Sequence, residues 1–120
     1  MRTLLITSIF LILSQMAHAQ LYRCSILDWY QATYDGVRSY PSQEFSFFYT
    51  PSKISFGTER GVFRGLELPV LETKSPRNSF EAGDGIFLVS FYDERFESNF
   101  VFAQALQGTG ALIRAKCEKN

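Results

Sequence analysis

Gly110-Ala-Leu-Ile-Arg-Ala-Lys-Cys117, the last apolar stretch before the chain ends at Asn120, decides the fold. Ala111, Ile113, Ala115 and Cys117 share one parity; Leu112, Arg114 and Lys116 share the other. Side chains alternate across a strand with period two, so the stretch reads as a strand with one buried and one wet face. The buried face is small, which lets another backbone approach closely. Cys117 has one counterpart, Cys24, near the other end of the chain. A bond between them ties the last strand to the start of the fold.

The first nineteen residues read as a secretory leader. Arg2 supplies the positive start, Leu4 to Leu13 is an apolar run broken only by Thr7 and Ser8, and Ala17-His18-Ala19 is a small-x-small cleavage site. The run is too short to span a bilayer, which takes about 20 apolar residues. Cys24 follows Leu21-Tyr22-Arg23, not the small residues of a lipidation signal. The expected product is residues 20–120, one domain with a modest core, in the periplasm or secreted. It has no membrane span. An exported chain with two cysteines usually bonds them. Redox pairs are usually close in sequence, as in Cys-x-x-Cys, and these are far apart.

Between the cysteines the chain is punctuated by turns. Tyr22, Cys24 and Ile26 start a first strand, followed by a less regular segment to the Asp35-Gly36 turn. Phe45, Phe47 and Tyr49 alternate along Gln43 to Thr50; Pro51 turns the chain into Ile54 and Phe56. Val62 to Leu71 reads as a strand with a bulge at Gly65 and an edge position at Pro69. Glu72 to Asn78 reads as a polar connection. Ser79 to Ala82, Ile86 to Tyr92, Phe96 to Leu106 and the closing strand complete the set, separated by Gly83-Asp84-Gly85, Asp93-Glu94-Arg95 and Gln107-Gly108-Thr109-Gly110. Seven or eight short strands and no convincing helix predict an all-β antiparallel fold, a small barrel or flattened sandwich closed by one disulfide. Eight membrane-spanning strands of about 9–11 residues would use nearly the whole chain, so an outer-membrane barrel is not expected.

The strand patterns Ser79-Phe80-Glu81-Ala82-x-Asp84-Gly85, Phe102-Ala103-Gln104-Ala105 and Ala111-Leu112-Ile113-x-Ala115-x-Cys117-Glu118 resemble small exported proteins of proteobacteria that have no assigned function. That resemblance implies a periplasmic or secreted β domain and no chemistry. The architecture is also similar to periplasmic inhibitors of C-type lysozymes, small β barrels with a cysteine near each end. Their Ser-Gly loop followed closely by tyrosine is not found here.

Little chemistry is available to residues 20–120. Loss of the leader removes Arg2 and His18, leaving 11 basic against 12 acidic residues and no histidine. Ser-His-Asp and Cys-His catalysis and histidine zinc sites are thereby excluded. The near-zero charge offers no footprint for nucleic acid. No phosphate loop is present, and no cofactor or metal is expected. Asp93, Glu94 and Glu97, with Glu81 and Asp84 near them in sequence, are the one carboxylate group that could cleave a glycoside. They read more simply as a solvated hairpin tip with Arg95 as counter-charge, and their spacing is not that of an EF-hand loop.

Aromatic residues number 18 in residues 20–120. Most phenylalanines fall on strand parities and belong to the core. Trp29, Tyr30, Tyr34 and Tyr40 crowd the irregular segment and form the candidate binding surface, since Tyr and Trp bury large areas at low entropy cost. The alternative is a lid over the barrel mouth. The expected function is a non-catalytic binding or interaction module of the cell envelope, monomeric, with an envelope protein or glycan as partner. A small lipocalin-like carrier, with Ile86 to Tyr92 lining a cavity, or a lysozyme-inhibitor-like protein are the alternatives.

Overall fold

The computed structural model describes residues 19–57, 62–94 and 96–120. The expected leader up to residue 18, most of the turn expected at 57–61, and Arg95 lie outside the described residues. The rest is all β: β1 (Gln20–Thr33), β2 (Gly36–Ser39), β3 (Glu44–Tyr49), β4 (Lys53–Phe56), β5 (Glu67–Lys74), β6 (Ser79–Gly83), β7 (Phe87–Phe91), β8 (Phe100–Leu106) and β9 (Thr109–Lys119). Every neighbour pair is antiparallel, and β9 returns to pair with β1. The sheet is a closed eight-stranded barrel, β1-β3-β4-β5-β6-β7-β8-β9, and not a sandwich.

β2 is the one extra strand. It pairs with Tyr30 to Thr33 on the edge of β1 that β3 uses from Gln20 to Ser25. Single bonds, Tyr40 N to Trp29 O and Ile26 N to Gln43 O, span the gap between them. β2 and β3 are thus one return strand, interrupted around Pro41, which has no N–H to give.

Alternation fills the interior. Tyr22, Phe45, Phe47, Tyr49, Phe56, Phe63, Phe80, Phe91, Phe100 and Phe102 are all buried. Phe47 sits among them, 5.1 Å from Tyr22, 5.4 Å from Phe91 and 5.8 Å from Phe100 between ring centroids. An eight-stranded barrel is just wide enough for its own side chains to fill it, or to hold one small ligand.

Two β-bulges interrupt the alternation, between Ile26 and Asp28 and between Val70 and Glu72. Each puts a leucine, Leu27 or Leu71, on the outside and moves the following residues to the opposite face.

Several boundaries differ from the sequence reading. The segment after Ile26 is not irregular: β1 runs on to Thr33 through its bulge. Residues 62–66 form a turn, not a strand, and β5 covers Glu67–Lys74, including the start of the expected polar connection. Gly65 is therefore a turn residue. Pro69 lies in a strand flanked by β4 and β6, opposite Lys53, where β4 begins and a missing donor costs little. β8 begins at Phe100, with a loop before it.

The Cys24–Cys117 disulfide lies on the seam that closes the barrel, joining residues that face each other on β1 and β9. Asn99 braces it. The Asn99 side chain accepts from Cys117 N (2.7 Å) and donates to Cys117 O (2.9 Å).

Two measurements test this packing. Phe47→Ala removes a fully buried ring and is expected to lower stability by about 3–5 kcal/mol. Phe48→Ala, next to it on the outer face, should cost under about 1 kcal/mol. Equal losses in denaturant melts would overturn the register. Replacing both cysteines with alanine should cost roughly 4–5 kcal/mol, the loop-closure value for a sequence separation of 93.

Candidate functional site

The two ends of the barrel differ. At one end the residues facing inward form successive rows across β1, β9, β8 and β7. Ile26, Ala115, Phe100 and Phe91 make one row, and Trp29, Ile113, Phe102 and Val89 the next. The outermost is Gln31, Ala111, Gln104 and Phe87. The inner rows are largely bulky and apolar. The outermost holds two amides on either side of an alanine, and it leaves space.

A cavity of about 360 Å³ occupies that space. Its walls include Trp29, Phe63, Phe87, Phe102 and Ile113; Gln31, Gln104 and Arg64 supply the polar groups. Trp29 reaches it because the bulge at Leu27 shifts parity: Tyr22, Cys24 and Ile26 point inward before the bulge, Trp29 and Gln31 after it.

The third side is the turn between β4 and β5. Leu66 N donates to Phe63 O at 2.9 Å, and Gly65 has φ +74°, which the third position of a type II turn requires. The turn drives Phe63 into the barrel, 4.5 Å from Phe102 and 4.6 Å from Phe56 between centroids. It holds Arg64 exposed at its tip. Among the described residues no carboxylate lies within ion-pairing distance of Arg64.

The four aromatics read from the sequence do not form one surface. Trp29 is half-buried against the core and stacks on Tyr40 at 4.7 Å. Tyr30 points outward, between Leu112 and Ser39 on neighbouring strands. Tyr34, 80% exposed, donates its hydroxyl proton to Gln107 O and lies against Gly108, joining the β1–β2 and β8–β9 hairpins. The lid at this mouth comes from Phe63 and its turn. Ala111 reads in the sequence only as part of a small buried face, and Gln31, Arg64 and Gln104 are not singled out there as site residues. The shift from even to odd parity after Ile26 points to the inward turn of Gln31 and to none of the others.

Outside the barrel, Leu88, Ala103, Leu112 and Tyr30 line up across β7, β8, β9 and β1. With Ile86, Val101 and Val37 they form an exposed apolar face, bordered by the Asp28–Arg114 ion pair at 2.7 Å. The outward residues of β5 and β6 include instead the charged Glu67, Glu72, Lys74 and Glu81, beside Pro69 and Leu71.

The opposite end is filled and polar. Asn78 donates to the Tyr22 hydroxyl at 3.0 Å, and Asp93 N donates to Ser79 Oγ at 2.8 Å. Asp93 is not part of a solvated hairpin tip. Its carboxylate is 13% exposed and faces Arg77 Nε at 3.8 Å. Glu94 and Glu97 stay exposed on the loop, Glu81 pairs with Lys74 at 3.4 Å, and Asp84 accepts from the N–H groups of Ile86 and Phe87. Those backbone bonds hold the Asp84 carboxyl below its ordinary range. Among the described residues no three His, Cys, Asp or Glu side chains gather as a metal site needs.

Burial pushes the Tyr22 hydroxyl up to about 12; the Asn78 bond works against this and the Asp93 charge adds to it. An ordinary tyrosine ionises near 10. The folded state therefore holds this proton longer than the unfolded chain, and the associated stability is complete below about pH 10 and is lost as pH rises toward 12. Ultraviolet titration of the tyrosines should show a component near 12 that disappears in Tyr22→Phe, and the unfolding free energy should fall between pH 10 and 12. A titration with every tyrosine complete by pH 11 would contradict this burial.

Comparison with known proteins returns no matching family model, no matching curated sequence and no matching solved structure.

Proposed function

We propose that the chain is an exported, periplasmic or secreted, non-catalytic binding module whose recognition site is the Trp29 mouth of the barrel. The observation that carries this reading is the cavity of about 360 Å³ in an interior otherwise packed with aromatic rings. Ligand sites are concave, mostly apolar and furnished with a few polar groups, with volumes from about 300 Å³ upward. The disulfide fits an oxidising compartment outside the cytoplasm, and the apolar run with Ala17-His18-Ala19 supplies the route there.

The non-catalytic part rests on composition: residues 20–120 contain no histidine, and Asp93 is occupied by Arg77. At the roughly 30 Å³ that a water takes in the liquid, the cavity has room for about a dozen non-hydrogen atoms. That suits a small free ligand, or one protruding group of an envelope protein or glycan. The outer apolar face is the weaker candidate. Five strands about 4.8 Å apart and three rows of side chains give on the order of 400 Å², no more than the largest apolar patch of an ordinary monomer.

Trp29 is the only tryptophan, so its emission reports directly on the mouth. Titration with compact hydrophobes of about a dozen non-hydrogen atoms should quench or shift it saturably. Chains twice that size should bind more weakly. An unchanged spectrum across acids, alcohols and sugars would remove the mouth as the recognition site.

A further inference from the structure

Within that reading of the mouth, we propose that the ligand is a monocarboxylate with a compact apolar body, its head held at the rim by Arg64 and the amides of Gln31 and Gln104. The walls account for the body. Trp29, Phe63, Phe87 and Phe102 present four aromatic rings, and aromatic walls favour another ring or a short chain through stacking and apolar burial. Phe102 and Ile113 lie one row below and Phe63 covers the axis beside them, so the body is short.

The rim accounts for the head. Gln31 and Gln104 occupy the outermost inward row, on either side of Ala111, and Arg64 tops the adjoining turn. A guanidinium has N–H donors and no acceptor, and two carboxamides add further donors. What all three share is the ability to donate, and an ionised carboxylate accepts from all of them with no proton of its own to place, which an alcohol or amine has. Arg64 carries one charge, matching a monoanion; a phosphate dianion asks for more positive charge than this rim holds among its described residues. Planar fork-to-carboxylate pairing adds geometric selectivity to the charge. The chain is otherwise near neutral, so anion selectivity arises at this rim and not from a general basic surface.

The test uses the intact mature protein, with Trp29 emission as readout. Decanoate and 4-phenylbutyrate, of equal size, are titrated beside decan-1-ol and 4-phenylbutan-1-ol. At least one acid should bind about tenfold more tightly than its alcohol, the difference a charged hydrogen bond at a partly exposed site makes. Arg64→Gln should bring that acid-to-alcohol ratio close to one, and Arg64→Lys should recover part of it. The acyl and aryl arms tell a fatty acid from an aromatic acid. Arg64 is at an exposed turn tip, and circular dichroism checks that each variant is folded. Equal binding of acid and alcohol by the native protein, or a ratio unmoved in Arg64→Gln, overturns the carboxylate assignment and leaves the mouth as a binding site. Binding of none of the four overturns the carboxylate assignment, and the mouth reading falls with it only if sugars too leave the Trp29 spectrum unchanged.

Discussion

The pairing of β9 with β1 is the constraint on which everything else rests. It runs from Tyr22 opposite Lys119 to Ala32 opposite Gly110. Without it the molecule would be an open meander with two exposed edges, each a template for further strands. With it, the two longest strands become neighbours, and the inward side chains of all eight strands face one axis. The disulfide and Asn99 both act at this seam, covalently between β1 and β9 and by hydrogen bonds from the β7–β8 loop to the Cys117 backbone. Because Asn99 satisfies both backbone polar groups of the buried Cys117, it locates the loop as well as the strand.

Closure also explains why most of the fold was legible. Strands whose two faces differ, such as Phe45 to Tyr49 and Ala111 to Cys117, announce themselves by alternation. Turns that need particular residues do the same. Gln107-Gly108, both in the left-handed region, is a two-residue hairpin turn, and Asp84 builds its own turn by accepting two N–H groups. What was not legible depended on bulges and on closure itself. A bulge has no composition of its own, so Ile26-Leu27-Asp28 reads as the end of a strand when it is a change of face within one. Likewise Pro69 reads as an edge residue only until the sheet has no edge left, and its missing donor falls where β4 begins.

The candidate site shows the same division. Trp29 and Tyr40 were legible as aromatics out of pattern, and they are in contact. Tyr30 and Tyr34, in the same stretch, serve other surfaces, because a strand sends its neighbours to opposite sides and a turn sends them elsewhere. Gln31, Gln104 and Arg64 had no signal as single residues. They come together only through the β1–β9–β8 register and the Phe63–Leu66 turn, both long-range consequences of folding.

The asymmetry between the barrel's ends follows from side-chain size and hydrogen bonding. Toward the Tyr22 end, large rings and a polar cap of Asn78, Asp93, Arg77 and Ser79 occupy the cross-section; Asn78 donates to Tyr22 and Asp93 N to Ser79, while the buried Asp93 Oδ2 has the Arg77 charge at 3.8 Å and no hydrogen bond. Toward the Trp29 end, the outermost inward row has an alanine between two flexible glutamines, and the Phe63 turn covers the axis without filling the space beside it. Maximum stability would place a large apolar residue at position 111, as Ile113 does one row below. Small packing defects lined by both aromatic and amide groups cost stability through lost contacts. A hollow in an otherwise filled barrel is therefore the place where the chain departs from its own packing rule, and in the reading proposed above binding is the role that offsets such a cost.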